Sequence, residues 1–168
     1  MNLTLRSLEL VDLETLHLWL NLEHLFPFYM QEPISTQEVL TKFRPRVGGR
    51  HRTKCLFACI DSIPFGYVQW YLNRAYPDYG AAVLGREFGF SIDYFIGEPD
   101  YLGKALGAPM LKLLVEHTFP LVNESDRIAC IAHDDLNYRA IRCTKRAGFK
   151  EDGRFIDKGK SSTIYCFS

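Results

Sequence analysis

Leu102-Gly103-Lys104-Ala105-Leu106-Gly107 runs without a break into the apolar helical stretch Met110-Leu111-Lys112-Leu113-Leu114-Val115. The first turn of a helix carries unpaired N–H donors and a positive dipole end, and glycines let an anion approach the backbone closely. Pro109 has no N–H and would disrupt a helix interior, so it sets the helix start near residues 106 to 108 and leaves the preceding amides available. The segment reads as a pyrophosphate cradle at a helix start. A Gly-rich turn before a helix is weak by itself, since many such turns only connect elements.

The flanking segments give it context. Upstream, Phe88, Phe90, Ile92, Tyr94 and Ile96 alternate with Gly89, Ser91, Asp93 and Phe95, which predicts a strand leading straight into the turn. Asp93 lies on the face opposite Phe90 and Ile92. It is either the carboxylate of a reaction site or a solvated acid on a half-exposed strand. Downstream, Asn137-Tyr138-Arg139-Ala140-Ile141-Arg142-Cys143-Thr144-Lys145-Arg146-Ala147-Gly148-Phe149 predicts a helix over 137–147, stopped by Gly148, with a strand from Phe149.

Working outward, residues 2–7 alternate as a strand, and Asp12 opens an apolar-periodic helix through Leu13, Leu16, Trp19 and Leu20. Ser35-Thr36-Gln37-Glu38 is a capping box for a helix reaching about Phe43. Residues 54–60, the turn Asp61-Ser62-Ile63-Pro64 and residues 65–71 form a hairpin. Residues 73–86, rich in Pro, Gly, Tyr and Asp, form a long excursion of the kind that often carries function. A helix over 107–118, a strand over 127–132 and closing strands near 149–156 and 161–167 complete an α/β pattern.

A chain of 168 residues, 47% hydrophobic, is expected to fold as one domain over 1–168. Its formal net charge is zero, which argues against nucleic acid or an acidic membrane as partner. No apolar run approaches the roughly 20 residues that span a bilayer, and a cytoplasmic location is expected. Cys55, Cys59, Cys130, Cys143 and Cys166 form no Cys-x-x-Cys pair and read as free thiols. His17, His24, His51, His117 and His133 are dispersed, so no metal site is expected.

The turn and the Asn137 helix, in this order and separation, resemble the GCN5-related N-acetyltransferase (GNAT) superfamily, whose pattern is Gln/Arg-x-x-Gly-x-Gly/Ala followed by Asn-x-x-Ala…Ala-Gly-Phe. Leu102, Ser91-Ile92-Asp93, Gly66-Tyr67-Val68-Gln69 and Arg139-Ala140-Ile141-Arg142-Cys143 are similar to the aminoglycoside 6′-N-acetyltransferase branch. The resemblance implies a mixed, mostly antiparallel splayed sheet flanked by helices around an acyl-CoA groove. It implies acetyl-CoA as co-substrate, a primary amine of a small molecule as acceptor, and a monomer or homodimer. The cofactor residues it implies are Phe95, Ile96, Leu102, Gly103, Lys104, Ala105, Leu106, Gly107, Asn137 and Ala140; for the acceptor they are Phe28, Tyr29, Gln69, Tyr71, Asp93 and Asp134. Phe26-Pro27-Phe28-Tyr29 either covers the acceptor or plugs the core, and Asn137 is either a pantetheine ligand or a helix N-cap.

The chemistry follows from the residues as well. An amine with a pKa near 10 is about 99.9% protonated at pH 7, so a carboxylate must take its proton directly or through water, and Asp93 is the candidate. A backbone N–H at Phe95 is the candidate donor to the oxyanion. Two features depart from the resemblance. Thr144 stands where the superfamily often has a Tyr that protonates the leaving thiolate. Residues 73–92 also balance Asp78 and Glu87 against Arg74 and Arg86, although Asp134 and Asp135 offer further negative charge. Peptide or hydroxylysine-type amines, and an acyl-CoA binding module without turnover, are the alternatives. His133 reads as a strand-end residue rather than a base.

Overall fold

The computed structural model describes residues 2–81, 83–157 and 159–168. Seven strands, β1 (Leu3–Ser7), β2 (Lys54–Ile60), β3 (Ile63–Leu72), β4 (Phe90–Ile96), β5 (Ala129–Asp134), β6 (Lys150–Asp157) and β7 (Lys160–Phe167), form one sheet in the order β1-β2-β3-β4-β5-β7-β6. The α-helices are α1 (Asp12–Leu20), α2 (Thr36–Phe43), the single turn α3 (Pro77–Gly80), α4 (Gly107–Thr118) and α5 (Tyr138–Arg146). The expected mixed α/β architecture is present. Chain contacts divide it into two compact units, residues 1–69 with 94–104 and residues 70–93 with 105–168.

In the first unit, β1 and β2 pair antiparallel from Leu3–Ile60 to Ser7–Leu56. The Ser35–Glu38 capping box is present in full, with Ser35 Oγ accepting from the Glu38 N–H and the Glu38 carboxylate accepting from the Ser35 N–H at 2.8 Å. Leu13, Leu16, Trp19 and Leu20, the face of α1 that the sequence periodicity marked, are buried with Val39, Phe43, Phe57, Tyr67 and Phe95. The β2–β3 turn is tighter than expected. Asp61 and Ser62 alone take positive φ (49° and 71°), so Ile63 and Pro64 belong to the strand.

In the second unit, β5 pairs antiparallel with β7 from Ala129–Phe167 to Asp134–Ser162, and β7 pairs with β6 across an irregularity between Glu151 and Gly153. β5 begins at Ala129 and reaches Asp134, two residues later than expected at each end. α4 buries Met110, Leu111, Leu114 and Val115. β4 begins at Phe90 rather than Phe88, because Gly89 turns with φ 95° and donates its N–H to the buried Asp126. All five cysteines are thiols, and Cys130 and Cys166 face each other as register partners with Sγ atoms 3.3 Å apart.

Candidate functional site

β4 and β5 run parallel, but among the described residues their pairing covers only Phe90–Ala129 and Ser91–Cys130. The two strands then part. β5 keeps β7 on its other edge to Asp134, while Ile92 and Asp93 have left β5. Asp93 is half-buried just past the last rung.

The stretch from β4 to α4 is less direct than expected. Gly97 and Glu98 both donate their N–H groups to the Phe65 carbonyl, at 2.9 and 3.0 Å, and a 3-10 turn over Pro99–Tyr101 intervenes before Leu102. Gly97 is a residue that sequence reasoning missed. A Cβ there would lie 2.0 Å from the Trp19 indole, so no other residue fits without displacing that ring. Trp19 is held in turn by its Nε1–H, which donates to Glu98 at 2.8 Å. A Gly at the end of an apolar strand was the available signal, and it names no partner.

Beyond Leu102 the main chain takes the geometry of an anion cradle. Gly103 (φ 75°) and the non-glycine Ala105 (φ 56°) are left-handed, and Leu106 after it is right-handed (φ −78°). A left-handed residue next to a right-handed one turns successive N–H groups toward one point. The N–H groups of Gly103, Lys104, Ala105 and Leu106 carry no hydrogen bond among the described residues, and residues 102–105 are exposed. A left-handed Ala costs about 1–2 kcal/mol and persists only where the surroundings impose it. Leu106 and Gly107 are buried at the start of α4, and space around Gly103 is open. Lys104 places its ammonium 5.4 Å from the Tyr101 ring centroid. These residues fit a pyrophosphate.

Asn137 caps α5, its side-chain oxygen accepting from the Ala140 N–H at 3.2 Å, which leaves its side-chain NH₂ as donor. The capping reading is therefore met, and it does not conflict with a ligand role. Thr144 is fully buried, its hydroxyl 2.7 Å from His133 Nε2. Burial pushes the His133 imidazole down to about 4, so it is neutral at pH 7.

The remaining residues fall into separate settings. Tyr29 packs against the first unit's core, its ring 4.8 Å from that of Phe95, while Phe28 beside it is exposed. Gln69 Oε1 accepts from the Tyr67 hydroxyl at 2.8 Å and from Arg46 at 3.2 Å. Ile96 offers its carbonyl to the His24 ring at 2.9 Å. Asp134 accepts from the Leu136 N–H at 2.8 Å, whereas Asp135 is taken up by the Ser161 and Thr163 hydroxyls at 2.5 and 2.6 Å, which hold its carboxyl below the usual range.

Tyr71 feels the charge of Asp93. Burial first, and then the Asp93 charge, push its hydroxyl well above the usual tyrosine range. The Tyr71 ring meets Tyr76 at 4.8 Å and Tyr79 at 6.5 Å, both steeply inclined, so the excursion brings two further tyrosines to the same place. The excursion is pinned down firmly. Buried Asn73 receives the Ser91 hydroxyl at 2.7 Å and donates to the Phe88 carbonyl at 3.0 Å. Arg74 pairs with the fully buried Asp126, and Arg86 grips Asp152 with two hydrogen bonds of 3.0 and 2.6 Å. Among the described residues no cluster of His, Cys, Asp and Glu could hold a metal ion, and no helix is long and apolar enough to cross a membrane.

Comparison with known proteins matches residues 9–156 to the acetyltransferase (GNAT) domain family. The chain is 29% identical to an aminoglycoside N(6′)-acetyltransferase type 1 of Klebsiella pneumoniae, over 90% of this chain and 76% of that one. Its fold is similar to that of aminoglycoside acetyltransferase AAC(6′)-Ib solved with coenzyme A and kanamycin, with TM-score 0.80, 24% identity, and coverage of 99% of this chain and 95% of that one. It is also similar to spermidine N-acetyltransferase from Vibrio cholerae solved with CoA and spermine, with TM-score 0.76, 16% identity, and coverage of 98% and 94%.

Proposed function

The chain belongs to the GNAT acetyltransferase family and is an acetyl-CoA-dependent N-acetyltransferase; on that premise we propose that its acceptor is the 6′-amine of an aminoglycoside or a similar small polycation, and that Asp93 handles the proton. The observation that carries the acceptor reading is Asp93 itself, half-buried past the last β4–β5 rung beside Tyr71. The relatedness to an aminoglycoside N(6′)-acetyltransferase supports it.

Bound acetyl-CoA supplies an acetyl thioester whose thiol, of a class with pKa near 8.5, departs as thiolate without help from a protein acid. That suits Thr144, whose buried hydroxyl is committed to His133. The N–H groups of residues 103–106 and the start of α4 hold the pyrophosphate, and the Asn137 side-chain NH₂ donates to the pantetheine arm. Asp93 orients the acceptor ammonium and takes its proton directly or through one water. The Phe95 N–H is the candidate donor to the thioester carbonyl oxygen. Gln69, Tyr71, Phe28, Tyr29 and Asp134 are the proposed acceptor contacts.

CoA release from acetyl-CoA, measured with kanamycin, tobramycin, spermidine, lysine, hydroxylysine and a short peptide, tests the proposal, with the product's acetyl group located by NMR. Saturable turnover with the aminoglycosides and acetylation at the 6′ nitrogen is the expected result. Turnover confined to peptide or hydroxylysine amines would overturn it.

A further inference from the structure

β5 and β7 set two thiols against each other. Cys130 and Cys166 are directly opposed residues of an antiparallel pair, so their side chains leave the sheet on the same face. Opposed residues of such a pair have Cα atoms about 4.5–5.5 Å apart, within the span that a disulfide bridges. The Sγ atoms lie 3.3 Å apart, with the Cys166 S–H donating to Cys130. The backbone is already where a disulfide needs it.

The two sulfurs differ in access and in charge. Cys130 is fully buried with Leu84 and Ile164, whereas Cys166 at the margin of that cluster is half-buried. The donated S–H and, against burial, the Arg86 guanidinium hold the Cys130 thiol below its usual value, while donating to Cys130 pushes Cys166 up. Arg86 is itself fixed by its two hydrogen bonds to Asp152. A thiolate beside a cation is the reactive form of cysteine. Cys55 and Cys59 offer no such pair. They lie four residues apart on β2, roughly 13 Å, too far to bridge each other.

We propose that Cys130 and Cys166 are a redox modification site, which a hydroperoxide converts reversibly to a disulfide that staples β5 to β7. The identity of the acceptor amine does not enter. The pair gives up one proton to water and shares the other across the sulfur contact, so either sulfur carries the charge. Cys166, the half-buried one, attacks an oxygen of hydrogen peroxide as thiolate; the O–O bond breaks, and the hydroxide that leaves takes up the released proton as water. Cys130 then attacks the sulfenic sulfur of Cys166, the S–O bond breaks, and the hydroxyl leaves with the Cys130 proton as a second water. Two thiols lose two electrons and one peroxide is reduced. The new bond closes a loop over residues 130–166 that carries Asn137, α5 and β6, and it fastens the cluster on which Leu84 and Tyr79 of the excursion pack.

The test treats the whole chain with hydrogen peroxide, blocks free thiols with N-ethylmaleimide and reads a proteolytic digest by mass spectrometry, with and without dithiothreitol. Wild type should lose two of its five free thiols and yield a Cys130–Cys166 linked peptide that dithiothreitol splits. Its Tm should rise by roughly 5–10 °C on oxidation, because a closed loop of this length restricts the unfolded chain. Cys166→Ser, in which Cys130 has lost its partner, should show no peroxide-dependent rise. All five thiols intact after peroxide, a link from either cysteine to Cys55, Cys59 or Cys143, or Cys166 oxidised to sulfinic acid with Cys130 still free would overturn the proposal. So would a rise in Tm that persists in Cys166→Ser.

Discussion

The turn over residues 102–107 and the excursion between β3 and β4 are built from different materials. The turn works through its main chain. Left-handed Gly103 and Ala105 and unbonded N–H groups do what no side chain there could. The excursion works through side chains: three tyrosine rings, the Asn73 hub and two arginine–carboxylate clamps. A site made of backbone tolerates changes of side chain and fails when a φ angle or a glycine is altered. A site made of side chains is retuned by single substitutions without loss of the scaffold, which is the arrangement expected where donor chemistry is fixed and acceptors vary.

The sharpest way to break this contrast is Gly107→Val, which places a branched side chain at the start of α4 among the N–H donors. Acetyl-CoA binding, followed by calorimetry, should fall by about 100-fold or more, roughly 3 kcal/mol, and normal affinity would remove the turn from the donor site. Acid should act on the side-chain-built unit. An unfolded His titrates near 6.5, whereas buried His133 titrates at about 4, so between those values the unfolded chain binds a proton that the fold refuses. Stability is complete above pH 6.5 and declines as pH falls toward 4, by roughly 3 kcal/mol; His133→Gln should flatten that decline in urea unfolding. Gly97→Ala must move the Trp19 ring and should cost about 2 kcal/mol, read as a lower Tm. Ser35→Ala, remote from both regions, removes the α2 cap and should cost about 1 kcal/mol with unchanged kinetics.

The contrast also explains what could be read in advance. The turn before α4 and the helix start were legible because backbone geometry is written locally, in glycines, in Pro109 and in the onset of helical periodicity. So was the capping box at Ser35, which lies within four consecutive residues. The excursion was legible as a long loop but not as a structure, since Arg74–Asp126 and Arg86–Asp152 join residues 52 and 66 positions apart. Tyr76 and Tyr79 carried no local sign that they would meet Tyr71. Gly97 looked like any strand-end glycine until Trp19, distant in sequence, was found lying on it. The shift of β4 from Phe88 to Phe90 has the same origin, because the carboxylate that captures the Gly89 N–H comes from Asp126.

The central claim is that donor and acceptor are held by separable parts of the chain, with Asp93 on the acceptor side. Initial rates of CoA release by Asp93→Asn, with acetyl-CoA and acceptor both varied, test it directly. A fall in kcat of about 10²-fold or more with an unchanged acetyl-CoA dissociation constant is the predicted result. Near-normal turnover in this variant, or loss of acetyl-CoA binding along with turnover, would contradict it.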